Sequence, residues 1–568
     1  MKIIYKILAV LSLTLASSCE SFIDLKPRDQ ITSDDYWETS SDLESYVLHF
    51  YPELPGGEMI TQDENTDNMI TTIPSKVMDG ERTPTTGNWV GEWSPIRDVN
   101  IFLNNYSKCQ EPFENYKQYV GEAYFFRAWF YFGLLKKYGD LPWINKPLEM
   151  GSSELMNSRD SRSLIADSIL GDIDKAISDL PLRSDVGNSR LNRETALAFK
   201  TRVALYEGTW EKYHANTPFD VKDPNPQKYF NEVVDAATEL MNGQYTVGIY
   251  STGNPDNDYF DLFGLSDMSN IKEVLFYKAF NKDEGLQNNV QYMAVRDPSG
   301  LGATWSLVTS YLGNDGKPID YLHLAKTYKG NNFLKEIAAK ADPRLKQSIW
   351  MPGDLTCATS NATYQKPPID QGALLQCTTG FQIKKSANPT TLSACAGDAE
   401  TKSETGFIYF RYAEVLLNYA EAKYELDKTI AYDQLNLLRE RVGMPDFSVI
   451  SRSEMVAPLD YGYSISDALY AIRRERRVEL AFEGLRESDY MRWAAASLFK
   501  GKRPKGYPFE LSEFPSFAPH IDENGLIDFF QNELPSGYGF RDNQDYLYPI
   551  PQDELTLNSN LKQNPGWK

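Results

Sequence analysis

The chain has 568 residues and carries 79 acidic against 58 basic side chains, a formal net charge of −21. Hydrophobic residues at 41% and charged ones at 24% describe a globular chain rather than a disordered or membrane-spanning one, and so acidic a balance argues against nucleic acid as a partner, because phosphate attraction dominates that binding. Aromatics are abundant, with 35 Tyr, 28 Phe and 10 Trp making 13% of the sequence; composition alone does not say whether they are core or ligand surface.

Residues 1–18 read as a signal peptide, with Lys2 and Lys6 ahead of an apolar run, Ile7–Ala16, too short to span a bilayer. Leu15-Ala16-Ser17-Ser18-Cys19 follows and resembles a bacterial lipobox, although Ala16 stands where Leu is commonest. Cys19 is the expected lipidation site, and residues 19–40 the tether behind it. Removing the first 18 of 568 residues leaves 550 and takes the charge to −23. Such a body is held on its membrane by the lipid, since anionic head groups repel it. Of the remaining cysteines, Cys357, Cys377 and Cys395 lie in a Gly/Ser/Thr/Pro-rich stretch, where an oxidising compartment allows one disulfide among them. None has CxxC spacing and no His is near, which speaks against a metal site.

In chain order, amphipathic patterns predict helices over Trp89–Lys108, Tyr116–Tyr138, Ser163–Leu180, Arg190–Trp210 and Tyr229–Met241, within a helical part covering 41–242. Residues 243–405 form a loop-rich stretch with short strand signals such as Val274–Phe280. A second helical part, 406–568, holds Ile408–Leu426, Tyr432–Val442, Ile465–Phe482 and Ser488–Phe499. The fold class is therefore mainly α, a helical scaffold carrying a large irregular insertion, and function tends to sit on such insertions. In the fourth-turn pattern of Ile408–Leu426, Arg411, Glu414, Asn418, Glu421 and Glu425 make one narrow polar stripe beside a broad apolar arc, a helix that needs neighbours on two sides. Arg127, set among Phe125, Phe126, Trp129 and Phe132, requires a carboxylate from another helix. The run Arg473–Arg477 is expected to form a salt-bridged packing helix through the i,i+3 pairs Arg476–Glu479 and Glu483–Arg486.

Several stretches then line up with one family. Cys19-Glu-Ser-Phe-Ile-Asp-Leu-Lys-Pro27 resembles the start of the SusD/RagB lipoproteins, and Gly121-Glu-Ala-Tyr-Phe-Phe-Arg-Ala through Tyr138-Gly-Asp-Leu-Pro142 resembles their long N-terminal helix. Arg411-Tyr-Ala-Glu through Ala422, Leu435 through Pro445, and Glu475-Arg-Arg-Val-Glu-Leu-Ala-Phe-Glu-Gly-Leu-Arg486 with Asp489 and Arg492-Trp493 match further motifs, as does the tail from Tyr548 to Trp567. Gly121, Lys423-Tyr424 and Ser488 depart from the pattern without removing an anchor. The resemblance implies tetratricopeptide-like helix pairs with a loop-rich ligand face. It also implies a surface-exposed outer-membrane lipoprotein of Bacteroidota that acts as a lid on a SusC-like TonB-dependent transporter and hands it a polysaccharide or oligosaccharide. A RagB-type lipoprotein that captures peptides in the same lid role is the alternative, and a purely structural lid is a third.

No HExxH, His cluster or GxSxG elbow occurs, and Trp305 replaces the last Gly of a GxGxxG-like loop, so no catalytic residue and no cofactor is expected. The four histidines, His49, His214, His323 and His520, read mostly as surface or loop residues. A sugar offers an apolar C–H face and a hydroxyl rim, which points to loop aromatics beside small polar groups. Asn289, Tyr292, Arg296 and Trp305 are the leading candidates, and the resemblance supports this region as part of a glycan platform. The loop 61–88 is second, with Asp67 and Arg82 foremost among Asp63, Glu64, Asn65 and Asn68 as hydroxyl partners. Trp350 is a weaker candidate, and Trp89 and Trp93 read as core.

Overall fold

The computed structural model describes residues 36–56, 59–85, 89–372, 374–395 and 402–568. The signal peptide, Cys19 and most of the tether lie outside the described residues. Helix accounts for 44% and strand for 7%.

The scaffold opens with α1 (Ser40–Leu48), whose Thr39 and Asp42 cap each other's backbone reciprocally. Then follow α2 (Trp89–Asn105), α3 (Lys117–Tyr138), α4 (Arg162–Asp179), α5 (Arg193–Tyr213) and α6 (Pro226–Met241). Local chemistry sets their ends: Ser161 and Asn192 accept from the backbone N–H groups of Leu164 and Thr195, Pro226 occupies the first turn of α6, and Gly139 stops α3 at positive φ. These helices pack serially, α2 on α3, α3 on α4, α4 on α5 and α5 on α6. Gly208 lets α5 and α6 approach closely, since a Cβ there would sit 2.9 Å from the Phe230 ring. Arg127 finds its carboxylate on the next helix, with Nε and Nη2 donating to Asp172 at 2.6 and 2.8 Å.

Two strands close the excursion that follows. β2 (Val274–Lys278) pairs antiparallel with β6 (Phe407–Arg411), so the beginning and end of the insertion lie side by side on the scaffold. The predicted helix from Ile408 therefore starts late: residues up to Arg411 are strand, and α9 is Tyr412–Asp427. Between the strands the chain is more helical than its composition suggests. It includes α7 (Val290–Val295) and α8 (Trp305–Val308), with further short helices at Tyr321–Thr327, Gly330–Lys340 and Pro343–Ser348. Small sheets join β1 (Met69–Ile70) to β3 (Gly302–Ala303) and β4 (Leu355–Cys357) to β5 (Ala362–Thr363). The insertion has its own apolar core around Leu307, Phe333, Leu345, Trp350 and Phe381, separate from the long-helix core. Trp350 is fully buried, its indole N–H donating to the Ala294 carbonyl, and so is removed from the ligand candidates. A disulfide joins Cys357 to Cys395, and Cys377 remains a buried thiol.

The chain returns to the scaffold in α9, α10 (Tyr432–Glu440), α11 (Asp467–Glu479) and α12 (Arg486–Arg492). α9 packs on α5, α6 and α11, the several neighbours its apolar arc requires. Its polar stripe is also buried: Glu414 holds Arg202, Asn418 accepts from Arg476, and Glu421 accepts from Arg473, Arg492 and the Trp493 indole. α11 is a packing helix, but not through the expected i,i+3 pairs. Arg476 pairs with Asp489, Glu479 with Arg344, Arg411 and Arg441, Glu483 with Arg411 and Lys385, and Arg486 with Asp67. Buried charges need several donors or acceptors each, and those come from other elements rather than from the next turn. His214 likewise departs from the surface reading, being fully buried with its ring stacked 3.8 Å from Trp210.

Candidate functional site

The two loop regions singled out from sequence meet in space. Pairing of β1 with β3 sets Met69 opposite Ala303 and Ile70 opposite Gly302. Thr304 then fastens the junction twice, its N–H donating to the Asn68 carbonyl at 2.9 Å and its hydroxyl to the Asp67 carbonyl at 2.6 Å. The same hydroxyl caps α8 by accepting from the Leu307 N–H. Gly302 is demanded by close approach, since a Cβ there would lie 2.4 Å from the Thr379 hydroxyl. Trp305, the first residue of α8, is thereby held by backbone on both sides, its own N–H donating 2.7 Å to the Lys505 carbonyl.

The Trp305 indole is half-buried. Its ring lies near-parallel to Phe333 and Phe381, with centroids 5.7 and 6.4 Å away, and edge-on to Tyr321. These rings fix the orientation of an indole that stays partly accessible. Asn289, Tyr292 and Arg296 belong to α7, which packs on the same insertion core as α8. Tyr292 is half-buried and Arg296, at the C-terminal cap, is exposed. Asn289 occupies the N-cap but its side chain makes no capping bond, and its Oδ1 is buried without a hydrogen-bond partner among the described residues.

The structure gives Asp67 and Arg82 other work than ligand contact. Asp67 is buried and accepts from Arg486 Nε and Nη2 at 2.6 and 2.8 Å, with Arg477 Nη2 at 3.1 Å. Burial alone would raise its pKa, but the two guanidinium groups outweigh that and hold it at about 2. Asp63 and Asn68 are buried as well: Asn68 donates to Asp63, whose carboxylate also accepts from the backbone N–H groups of Phe482 and Gly484. Arg82 stands apart from this face. It pairs with Asp545 at 3.6 Å and lies over the Tyr548 ring at 4.2 Å, tying the loop to the C-terminal tail. Charge and loop position made both residues look like hydroxyl partners; burial, which the sequence does not display, makes them clamps.

Beneath the face runs the ion lattice assembled from the quoted motifs. Arg411 reaches Glu273, Glu479 and Glu483, Arg344 reaches Asp342, Glu475 and Glu479, and Arg477 donates to Asn68 and to the Ser306 and Ser310 hydroxyls. One arginine of α11 thus touches both loop regions of the site. Among the described residues no group of three or more His, Cys, Asp or Glu side chains is arranged to hold a metal ion, and no helix is long and apolar enough to cross a membrane.

A mainly helical scaffold of this kind is shared with known proteins. Residues 272–567 match the SusD family, and residues 27–205 match a family described as starch-binding and associating with the outer membrane. The chain belongs to the SusD family. It is 22% identical to SusD-like protein P2 of Formosa agariphila over 99% of each chain. Among solved structures it is similar to a SusD-like carbohydrate-binding protein of Bacteroides fragilis (TM-score 0.72, 23% identity, 93% of this chain and all of that one). It is also similar to a laminarin-binding SusD-like protein (TM-score 0.59, 20% identity, 94% of this chain and all of that one).

Proposed function

We propose that the protein is a non-catalytic glycan-binding lipoprotein of the outer membrane, anchored through a lipid on Cys19, facing the cell exterior, that delivers an oligo- or polysaccharide to a SusC-like TonB-dependent transporter. What carries the reading is membership of the SusD family together with the braced, partly accessible Trp305 indole at the meeting of the two loops. Arg296, exposed at the end of α7, and Asn289 at its start are the proposed hydroxyl partners, on a helix that packs on the same insertion core as Trp305. The relatives that bind carbohydrate, laminarin among them, support the ligand class.

The test is retention of the purified mature protein in native gels containing a panel of polysaccharides. At least one should retain it, and Trp305→Ala should weaken retention roughly tenfold or more, in line with the ~1.5–3 kcal/mol that burial of a large apolar side chain contributes. An unchanged melting temperature shows that the variant is folded. Retention by no polysaccharide, with peptides bound instead, overturns the reading in favour of peptide capture.

A further inference from the structure

A concavity of about 320 Å³ lies where the helical scaffold meets the segment carrying Pro55, Met59 and Gln62. It opens between α3, α5, β6 and the segment from Glu483 to Arg492, and its walls mix aromatic rings with charged side chains. Gly133 forms part of its floor: it is exposed although it lies mid-helix, and a Cβ placed there would meet nothing within 4 Å. Trp129, Phe132 and Tyr206 supply apolar ring surface around it.

The charges that line the cleft are consumed by one another, with one exception. Arg202 is forked onto Glu414 at 2.7 Å on both oxygens, and Arg476 onto Asp489 at 2.9 Å. Arg492 is shared by Glu421 and Asp489, and Glu483 accepts from Arg411 and Lys385. Lys136 alone has no ion pair and no hydrogen bond among the described residues; its Nζ rests 5.0 Å from the centroid of Phe132. Ser488, also on the wall, makes no side-chain hydrogen bond among the described residues. Burial depresses the ammonium's pKa, Glu487 opposes this, and Arg202 adds to it. An anion seated beside Lys136 would relieve that cost.

We propose that this cleft is a second ligand site that takes a single hexuronate ring, its carboxylate on the Lys136 ammonium and Ser488 hydroxyl and its ring faces against Trp129, Phe132 and Tyr206. The volume lies at the small end of ligand pockets, the size for one ring rather than a chain. The spare positive charge selects an acid over a neutral sugar. This inference deepens the proposed function and rests on its reading of the ligand as a glycan: it names acidic sugars as a class the protein takes.

Calorimetric titration of the mature protein with glucuronate, glucose and benzoate tests it. Glucuronate should bind saturably, glucose at least tenfold more weakly, and benzoate no better than glucose. Lys136→Gln, which keeps the stem and removes the charge, should weaken glucuronate roughly tenfold to a hundredfold, the range for a hydrogen bond to a charged group. Gly133→Leu, which fills the cleft from a helical position that favours leucine, should abolish binding while leaving melting temperature equal or higher. Absence of glucuronate binding, equal affinity for glucose, preference for benzoate, or wild-type affinity in both cleft variants each overturns the proposal. Polysaccharide retained through Trp305 without glucuronate binding sinks this inference alone; loss of both sinks the glycan reading with it.

Discussion

Removing the Asp67 carboxylate decides whether that residue clamps the loop face or contacts ligand. In the folded protein it is the shared partner of Arg477 and Arg486, all three buried, so the trio carries one net positive charge. Asp67→Ala leaves two guanidinium groups facing one another with no anion between them, the situation that costs about 3–5 kcal/mol when one partner of a buried pair is deleted. At ~2.1 cal/mol/K per residue, a chain of 568 residues has an unfolding entropy of roughly 1.2 kcal/mol/K. The expected fall in melting temperature is therefore roughly 3–4 °C for one cooperative transition. Asp67→Asn should cost a similar amount, because it restores shape and hydrogen bonding to one guanidinium but not the charge. Scanning calorimetry measures the stability change, and gel retention on the best polysaccharide measures the function. A melting temperature within 1 °C of wild type, coupled with lost retention, would refute the clamp and return Asp67 to the ligand contacts.

His214 should cost the protein stability in mild acid, against the opposite contribution of Glu207, whose carboxyl pKa burial pushes up to about 7. Burial drives the His214 pKa from 6.5 down to about 3, so between those values the unfolded chain binds a proton that the folded one does not, and its contribution to stability falls as pH drops below 6.5, by up to ~1.4 kcal/mol per pH unit. Between pH 6.5 and 4.5 the change in melting temperature should be less destabilising in His214→Gln than in the wild type; equal slopes would exclude His214 as a contributor. Opening the disulfide that spans 38 positions in sequence should cost about 4 kcal/mol by loop-closure entropy. Because the bond lies in the insertion, Cys357→Ser with Cys395→Ser should increase protease cleavage there, read by mass spectrometry, and leave the scaffold fragments intact. Cleavage at wild-type rates would show that packing, not the crosslink, holds the segment.

The long helices were legible because each carries its own period and its own stop signals. The expected Tyr116–Tyr138 and Tyr229–Met241 came within a few residues of the observed Lys117–Tyr138 and Pro226–Met241, since caps such as Ser161, Asn192 and Gly139 act on their immediate neighbours. Arg127 was readable for the same reason: a lone charge on an aromatic face has to be neutralised, whichever helix supplies the carboxylate. The start of α9 was misplaced because Ile408–Arg411 has an apolar pattern that suits strand or helix, and only its pairing with β2 settles which.

The sequence by itself determined that the chain is acidic and mainly helical, with motifs resembling the SusD family along its length and aromatics enough for core and ligand alike. Tertiary structure decided which polar residues face solvent. Asp67, Arg82 and the charges of α11 have the composition of a binding surface, yet they satisfy one another in the interior, because a buried ion must find its partner wherever the fold brings one. Lys136, without an ion pair among the described residues and beside an open Gly133, shows the converse, since pairing is a fact about neighbours separated along the chain and is written at no single position in it.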